Sequence, residues 1–233
     1  MRILVTRPRS DAEETAAKLA ALGHDPLIAP LLEIKFHAGG EIALDGVQAV
    51  LITSANGIRA LAQRTARRDV RVLAVGEQSA ETAHALGFEN VDHARGDAVA
   101  LANLAVATLS PKNGVLVHIS GSETRGNLVE KLAASGFSMR SEIVYDAVAA
   151  ETLPADVQVA LAQRKLDIAF FYSPRTAHLF VNLVTGLKLA GACTALDAVC
   201  ISQATASELR GLSFRNIRVA AEPNQDALLA LLD

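Results

Sequence analysis

The chain has 233 residues, 51% hydrophobic and 20% charged, a balance that suits a globular protein with one large core or two smaller ones and excludes a disordered or fibrous class. With 22 basic residues against 25 acidic ones, the formal net charge is −3 and there is no basic run, so the whole chain lacks the electrostatic footprint of a nucleic-acid binder, although a local basic pocket stays open. Met1-Arg2 leads directly into ILVT and no run of about 20 apolar residues follows, so a soluble, cytoplasmic protein without a membrane segment is expected.

In chain order, the predicted strands are ILVT (3–6), AVLITS (49–54), RVLAVG (71–76), GVLVHIS (114–120), IAFFYS (168–173), AVCIS (198–202) and NIRVAA (216–221). They alternate with helical patterns, which implies parallel sheets covered by helices on both faces. Ser10 with Glu13 predicts a capping box on the first helix; Ser173 followed by Pro174 predicts a cap and a first-turn proline. LAVGEQSAETAHALGF (73–88) turns from strand to helix through small residues. The unpaired N–H groups of such a helix start suit an anion, above all a carboxylate or phosphate, unless the small residues serve turn geometry alone. Cys200 lies inside an apolar run, so it and Cys193 read as buried thiols rather than a disulfide. His24, His37, His84, His93, His118 and His178 show no metal-ligand spacing, and GSETRG (121–126) lacks the features of a P-loop or dinucleotide site, so no metal is expected.

The sequence also repeats internally. Residues 3–34 pair with 115–148, each running strand, polar turn, helix ending KLAAxG, then an extended stretch. LITSANGIRAL (51–61) pairs with FFYSPRTAHLF (170–180), and AVGEQSAETAHALGF (74–88) with CISQATASELRGLSF (200–214), an A-B-A-B order. Simple halves would meet near residue 112. Alternatively, the extended stretches 25–38 and 139–150 pair as a two-stranded connector, so that one domain holds 1–35 plus 149–233 and the other 38–146.

These segments, ILVTRP, TSANG, AVGEQSAETAHALG, EIVYDAV (142–148), FFYSP and the closing AAEPNQDALLALL (220–232), taken in order and spacing, resemble uroporphyrinogen-III synthase nearly end to end. The resemblance implies an α/β fold of two flavodoxin-like parallel-sheet domains joined by a two-stranded connector with a cleft between them, which favours the interleaved boundaries. It also implies a monomeric, cofactor-independent lyase that cyclises hydroxymethylbilane, a linear tetrapyrrole with eight carboxylates, to uroporphyrinogen III. Water is lost, a spiro intermediate forms and ring D is inverted. One departure stands out: Ser202 occupies a turn where the family usually has glycine, and serine does not take a positive φ as cheaply.

With that substrate, the strand-end turns become candidate carboxylate sites. Ser54, Ser79, Ser173 and Thr205 are expected to bind it through helix starts, with helix capping as their alternative role, and Arg7, Arg125 and Arg175 through guanidiniums. Tyr145 takes the place of a tyrosine that the family sets at the cleft. A phenol, with its ordinary pKa of about 10, stays protonated at neutral pH and can assist the departing hydroxyl. The competing reading is a non-enzymatic two-domain binding protein for a polycarboxylate. A flavin-binding relative is disfavoured by the absence of tryptophan and the presence of only two tyrosines.

Overall fold

A computed structural model describes residues 1–124 and 126–232. In chain order the elements are β1 (Arg2–Val5), α1 (Arg9–Ala21), β2 (Asp25–Ile28), β3 (Leu32–Phe36), β4 (Val47–Ile52), α2 (Ala55–Gln63), β5 (Val72–Ala74), α3 (Glu77–Ala85), β6 (Val91–His93), α4 (Ala98–Thr108), β7 (Val115–Gly121) and α5 (Leu128–Ala134). There follow β8 (Met139–Ala149), α6 (Ala155–Ala162), β9 (Ile168–Phe171), α7 (Pro174–Gly186), β10 (Asp197–Cys200), α8 (Gln203–Glu208), β11 (Asn216–Val219) and α9 (Gln225–Leu229). Two compact units result, Met1–Glu33 with Val148–Asp233 and Ile34–Ala147. The chain passes from one to the other within β3 and returns within β8.

The first unit carries a sheet ordered β11-β10-β9-β1-β2, with every pair parallel. Its central strands are apolar on both faces, as a sheet covered on both sides requires: Ile168, Ala169, Phe170 and Phe171 of β9 are all buried. On one face Phe171 meets Phe180 of α7 edge-on at 5.1 Å between centroids, with Phe214 completing the cluster. Cys193 and Cys200 are buried there as free thiols, pushed up to about 11 and about 12 by burial.

The second unit carries the order β3-β8-β7-β4-β5-β6. Pairs from β8 through β6 are parallel. Backbone bonds from His37 N–H to Val144 and from Ala150 N–H to Leu31 show that β3 runs antiparallel to β8. Leaving β3 aside, the order β8-β7-β4-β5-β6 reproduces β2-β1-β9-β10-β11. The paired sequence segments therefore occupy matching places in the two sheets, although they enter in a different chain order.

Three local expectations change. Helix α1 begins at Arg9 behind Pro8, which makes no side-chain cap bond; Ser10 lies exposed inside the first turn and the Ser10–Glu13 capping box does not form, because the fixed φ of Pro8 starts the helix two residues early. The extended stretch 25–38 divides: β2 joins β1 as a parallel edge strand, while β3 lies beside β8. Strand β6, three residues long, carries too short a pattern to be read from sequence.

Candidate functional site

In each sheet the strand order reverses at one point, between β1 and β9 in the first unit and between β7 and β4 in the second. The space outside the carboxyl ends of parallel strands at such a point is where α/β sheets commonly take ligands.

In the second unit that place holds Tyr145. Strand β8 runs in register with β7 until Ser120 faces Ile143; Gly121 then faces Tyr145, so Val144 is an extra residue, a β-bulge. Regular alternation would send Val144 and Tyr145 to opposite faces. Instead both pack in one core with Ile52, Ile58 and Leu61, on the α2 side, because a bulge re-aims the side chain after it. Tyr145 Oη comes within 2.8 Å of Ser54 Oγ. Ser54 is the N-cap of α2, and its oxygen accepts the Gly57 N–H at 3.3 Å.

The neighbouring residue is also tied down. Asp146 Oδ2 lies 2.8 Å from His37 Nε2, and His37 Nδ1 lies 3.2 Å from the Ile143 carbonyl. Hydrogen bonds from Ser122 and His37 hold the Asp146 carboxyl below its ordinary range, and the Ser122 N–H donates to the Tyr145 carbonyl at 3.0 Å. In the sequence His37 is one of six histidines without metal-ligand spacing, and Asp146 carries no signal of its own. Their pairing depends on the β3–β8 register, which no local motif announces.

The corresponding place in the first unit is filled by its own side chains. Arg7, 5% exposed, donates to Gln225 at 2.7 Å and Thr15 at 3.3 Å, pairs with Asp11 at 3.4 Å, and lies over the Tyr172 ring at 4.2 Å. Burial raises the Tyr172 phenol pKa, with Arg7 opposing. Ser173 caps α7 as expected from its sequence, accepting the Thr176 N–H at 3.1 Å, with the Thr176 hydroxyl at the same distance. Arg175 is half-buried in the first turn of that helix. Thr205, fully buried, gives its N–H to Ser202 at 3.3 Å and places its hydroxyl 3.0 Å from the same oxygen. Ser79 is buried in the first turn of α3, whose cap is Gly76 rather than a side chain. Arg125 lies outside the described residues.

The Ser202 departure has a simple geometric outcome. Ser202 caps α8 at φ −158°, ψ 162°, and Gly76, its counterpart before α3, sits at φ −154°, ψ 173°. Both are extended conformations open to any residue. Positive φ is required at neither turn, and serine adds a cap bond that glycine lacks.

Comparison with known proteins bears on the whole chain. The family model described as uroporphyrinogen-III synthase HemD matches residues 13–230. A Methanocaldococcus jannaschii protein provisionally named uroporphyrinogen-III synthase is 28% identical over 88 residues, a match spanning 35% of this chain and 37% of that protein's own length. Among solved structures, uroporphyrinogen-III synthetase from Helicobacter pylori shares the fold at TM-score 0.66 and 18% identity, over 100% of this chain and 98% of that one. A mutant uroporphyrinogen III synthase from Thermus thermophilus does so at 0.54 and 18%, over 100% and 97%.

Proposed function

The chain belongs to the uroporphyrinogen-III synthase family, and from that membership we propose that it cyclises hydroxymethylbilane to uroporphyrinogen III, losing water and inverting ring D. The observation from its own side chains that supports this reading is the Tyr145–Ser54 hydroxyl pair, placed where the second unit's strand order reverses. Ser54 Oγ accepts the Gly57 N–H, and either hydroxyl can donate across its 2.8 Å contact with Tyr145 Oη; the reaction draws on the arrangement in which Ser54 is the donor. The phenol proton is then free for a third partner, the terminal hydroxyl of the substrate.

The C–O bond breaks as that proton arrives, and water leaves. Ring D attacks through its own substituted carbon to give the spiro intermediate, which reopens and recloses with the ring inverted. The proton lost when the pyrrole is restored returns to Tyr145, so one hydroxymethylbilane yields one uroporphyrinogen III and one water. The conversion is redox-neutral and its balance calls on no cofactor. Most of the task is positioning, since the free chain closes without inversion to the type I isomer. Substrate carboxylates are assigned, within the second unit, to the helix starts carrying Ser54 and Ser79 and the guanidinium of Arg125, and within the first to the helix start carrying Ser173 and the guanidinium of Arg175; Thr205, fully buried with its N–H and hydroxyl on Ser202, supports its turn instead. Arg7 would reach substrate only by releasing Asp11 and Gln225, so it is assigned to the scaffold. The same reading makes the protein a cytoplasmic monomer; among the described residues, no helix is long and apolar enough to cross a membrane.

Purified protein given freshly made hydroxymethylbilane, with no cofactor added, is expected to yield mainly the type III isomer on chromatography. Products matching the spontaneous type I outcome would overturn the activity, and tight binding without cyclisation would identify a binding protein instead.

A further inference from the structure

We propose that Gly121 is a positioning residue for Tyr145: its missing side chain is the space in which the phenol ring lies, and filling that space moves the hydroxyl off Ser54. The inference rests on the function proposed above for its kinetic consequence, although its structural content stands apart from that reading. A Cβ built on Gly121 would fall 2.7 Å from Tyr145 Cε2, 2.8 Å from Cζ and 3.2 Å from Cδ2. The first two lie well inside van der Waals contact, and they fall at the hydroxyl-bearing end of the ring.

Gly121 does not have a positive φ, so its backbone conformation is open to other residues and the requirement for glycine comes from the ring alone. The register reinforces this. The Val144 bulge brings Tyr145 opposite Gly121 rather than leaving the facing position to Val144. Ser54 holds the hydroxyl from the α2 side at 2.8 Å, and the Ser122 N–H holds the Tyr145 carbonyl at 3.0 Å. Backbone, ring and hydroxyl are thus each fixed by a different neighbour, and Gly121 is the neighbour that permits the ring's place. An alanine Cβ cannot be absorbed by a flexible chain end, because the atoms it meets are a ring packed in a core.

The chain has no tryptophan and two tyrosines, so Tyr172→Phe leaves Tyr145 as the sole phenol, and its near-ultraviolet band reports the Ser54 hydrogen bond whether or not the protein is an enzyme. In that background Gly121→Ala is expected to shift the band in the direction that Ser54→Ala shifts it. In the otherwise native chain, Gly121→Ala is expected to lower kcat by about 10-fold to 100-fold, in keeping with the cost of a displacement of about 1 Å, with KM little changed. It should add little to the loss caused by Tyr145→Phe, which has no hydroxyl left to misplace. A wild-type band and kcat in Gly121→Ala, or losses that add fully to those of Tyr145→Phe, would overturn the proposal. If the protein lacks the cyclising activity, the band still decides the positioning role.

Should Gly121→Ala fail to fold, the melting temperature of Gly121→Ala/Tyr145→Ala is compared with that of Tyr145→Ala. Equal values, following removal of the ring, support the inference. A double variant that melts well below Tyr145→Ala, or that also fails to fold, shows that the added methyl meets something other than Tyr145 and overturns it.

Discussion

The two places where strand order reverses are built from matching elements and have opposite characters. Between β1 and β9 the polar groups are engaged with one another: Arg7 with Asp11, Gln225 and the Tyr172 face, and Ser173 with Thr176. Between β7 and β4, Tyr145 and Ser54 share one hydrogen bond and retain between them a proton that can be directed elsewhere. A repeated scaffold therefore does not repeat its chemistry. A buried guanidinium demands partners and occupies itself with them beside β1, while a bulge and a glycine leave the other place with a phenol at its edge.

The sharpest break in this contrast is expected from the two tyrosines. Tyr145→Phe should lower turnover by about 10²–10³, the loss typical of a hydrogen-bond donor to developing charge, while the fold is kept. Tyr172→Phe should leave turnover near wild type. Steady-state kinetics with isomer analysis checks both, and equal losses would erase the distinction.

The capping serines divide the same way at smaller amplitude. Removing either cap should cost about 1 kcal/mol of stability. Only Ser54→Ala should also slow turnover, by about 10-fold, the equivalent of about 1.4 kcal/mol from one hydrogen bond; Ser173→Ala should keep kcat and show its effect in thermal unfolding and in substrate KM.

Below the second site, His118 of β7 is 5% exposed, and its Nε2 has no hydrogen-bond partner among the described residues. Burial lowers its pKa, so the unfolded chain takes up the proton first. Stability is complete above the unfolded value of about 6.5 and falls as pH drops below it. The matching strand β1, RILV, has no such group at its buried positions Ile3, Leu4 and Val5. His118→Leu is expected to flatten the decline in melting temperature between about pH 7 and pH 5; an unchanged decline would place its origin elsewhere.

The smallest effect concerns Gly76 and Ser202. A Cβ at Gly76 meets nothing within 4 Å, so Gly76→Ser should fold normally and gain a few tenths of a kcal/mol, while Ser202→Gly should lose about as much. A large loss in Gly76→Ser would show that this turn needs glycine for a reason other than φ.

Much of the architecture was legible locally. The apolar runs of β1, β4, β7, β9 and β10 announce buried parallel strands, Ser173-Pro174 announces a helix start, and the paired segments announce two similar sheets, because each signal is carried by residues close together in the chain. Within the site, Tyr145 and Ser54 stood out one at a time, and their contact across 91 positions did not. EIVYDAV reads the same with or without a bulge at Val144, the arginine of TRPRS reads the same whether solvated or buried, and His37 gives no sign of Asp146, 109 residues away. Those outcomes belong to the tertiary structure alone: strand register and burial are set by which surfaces pack together, and the free energy of that packing is shared among residues that are distant in sequence.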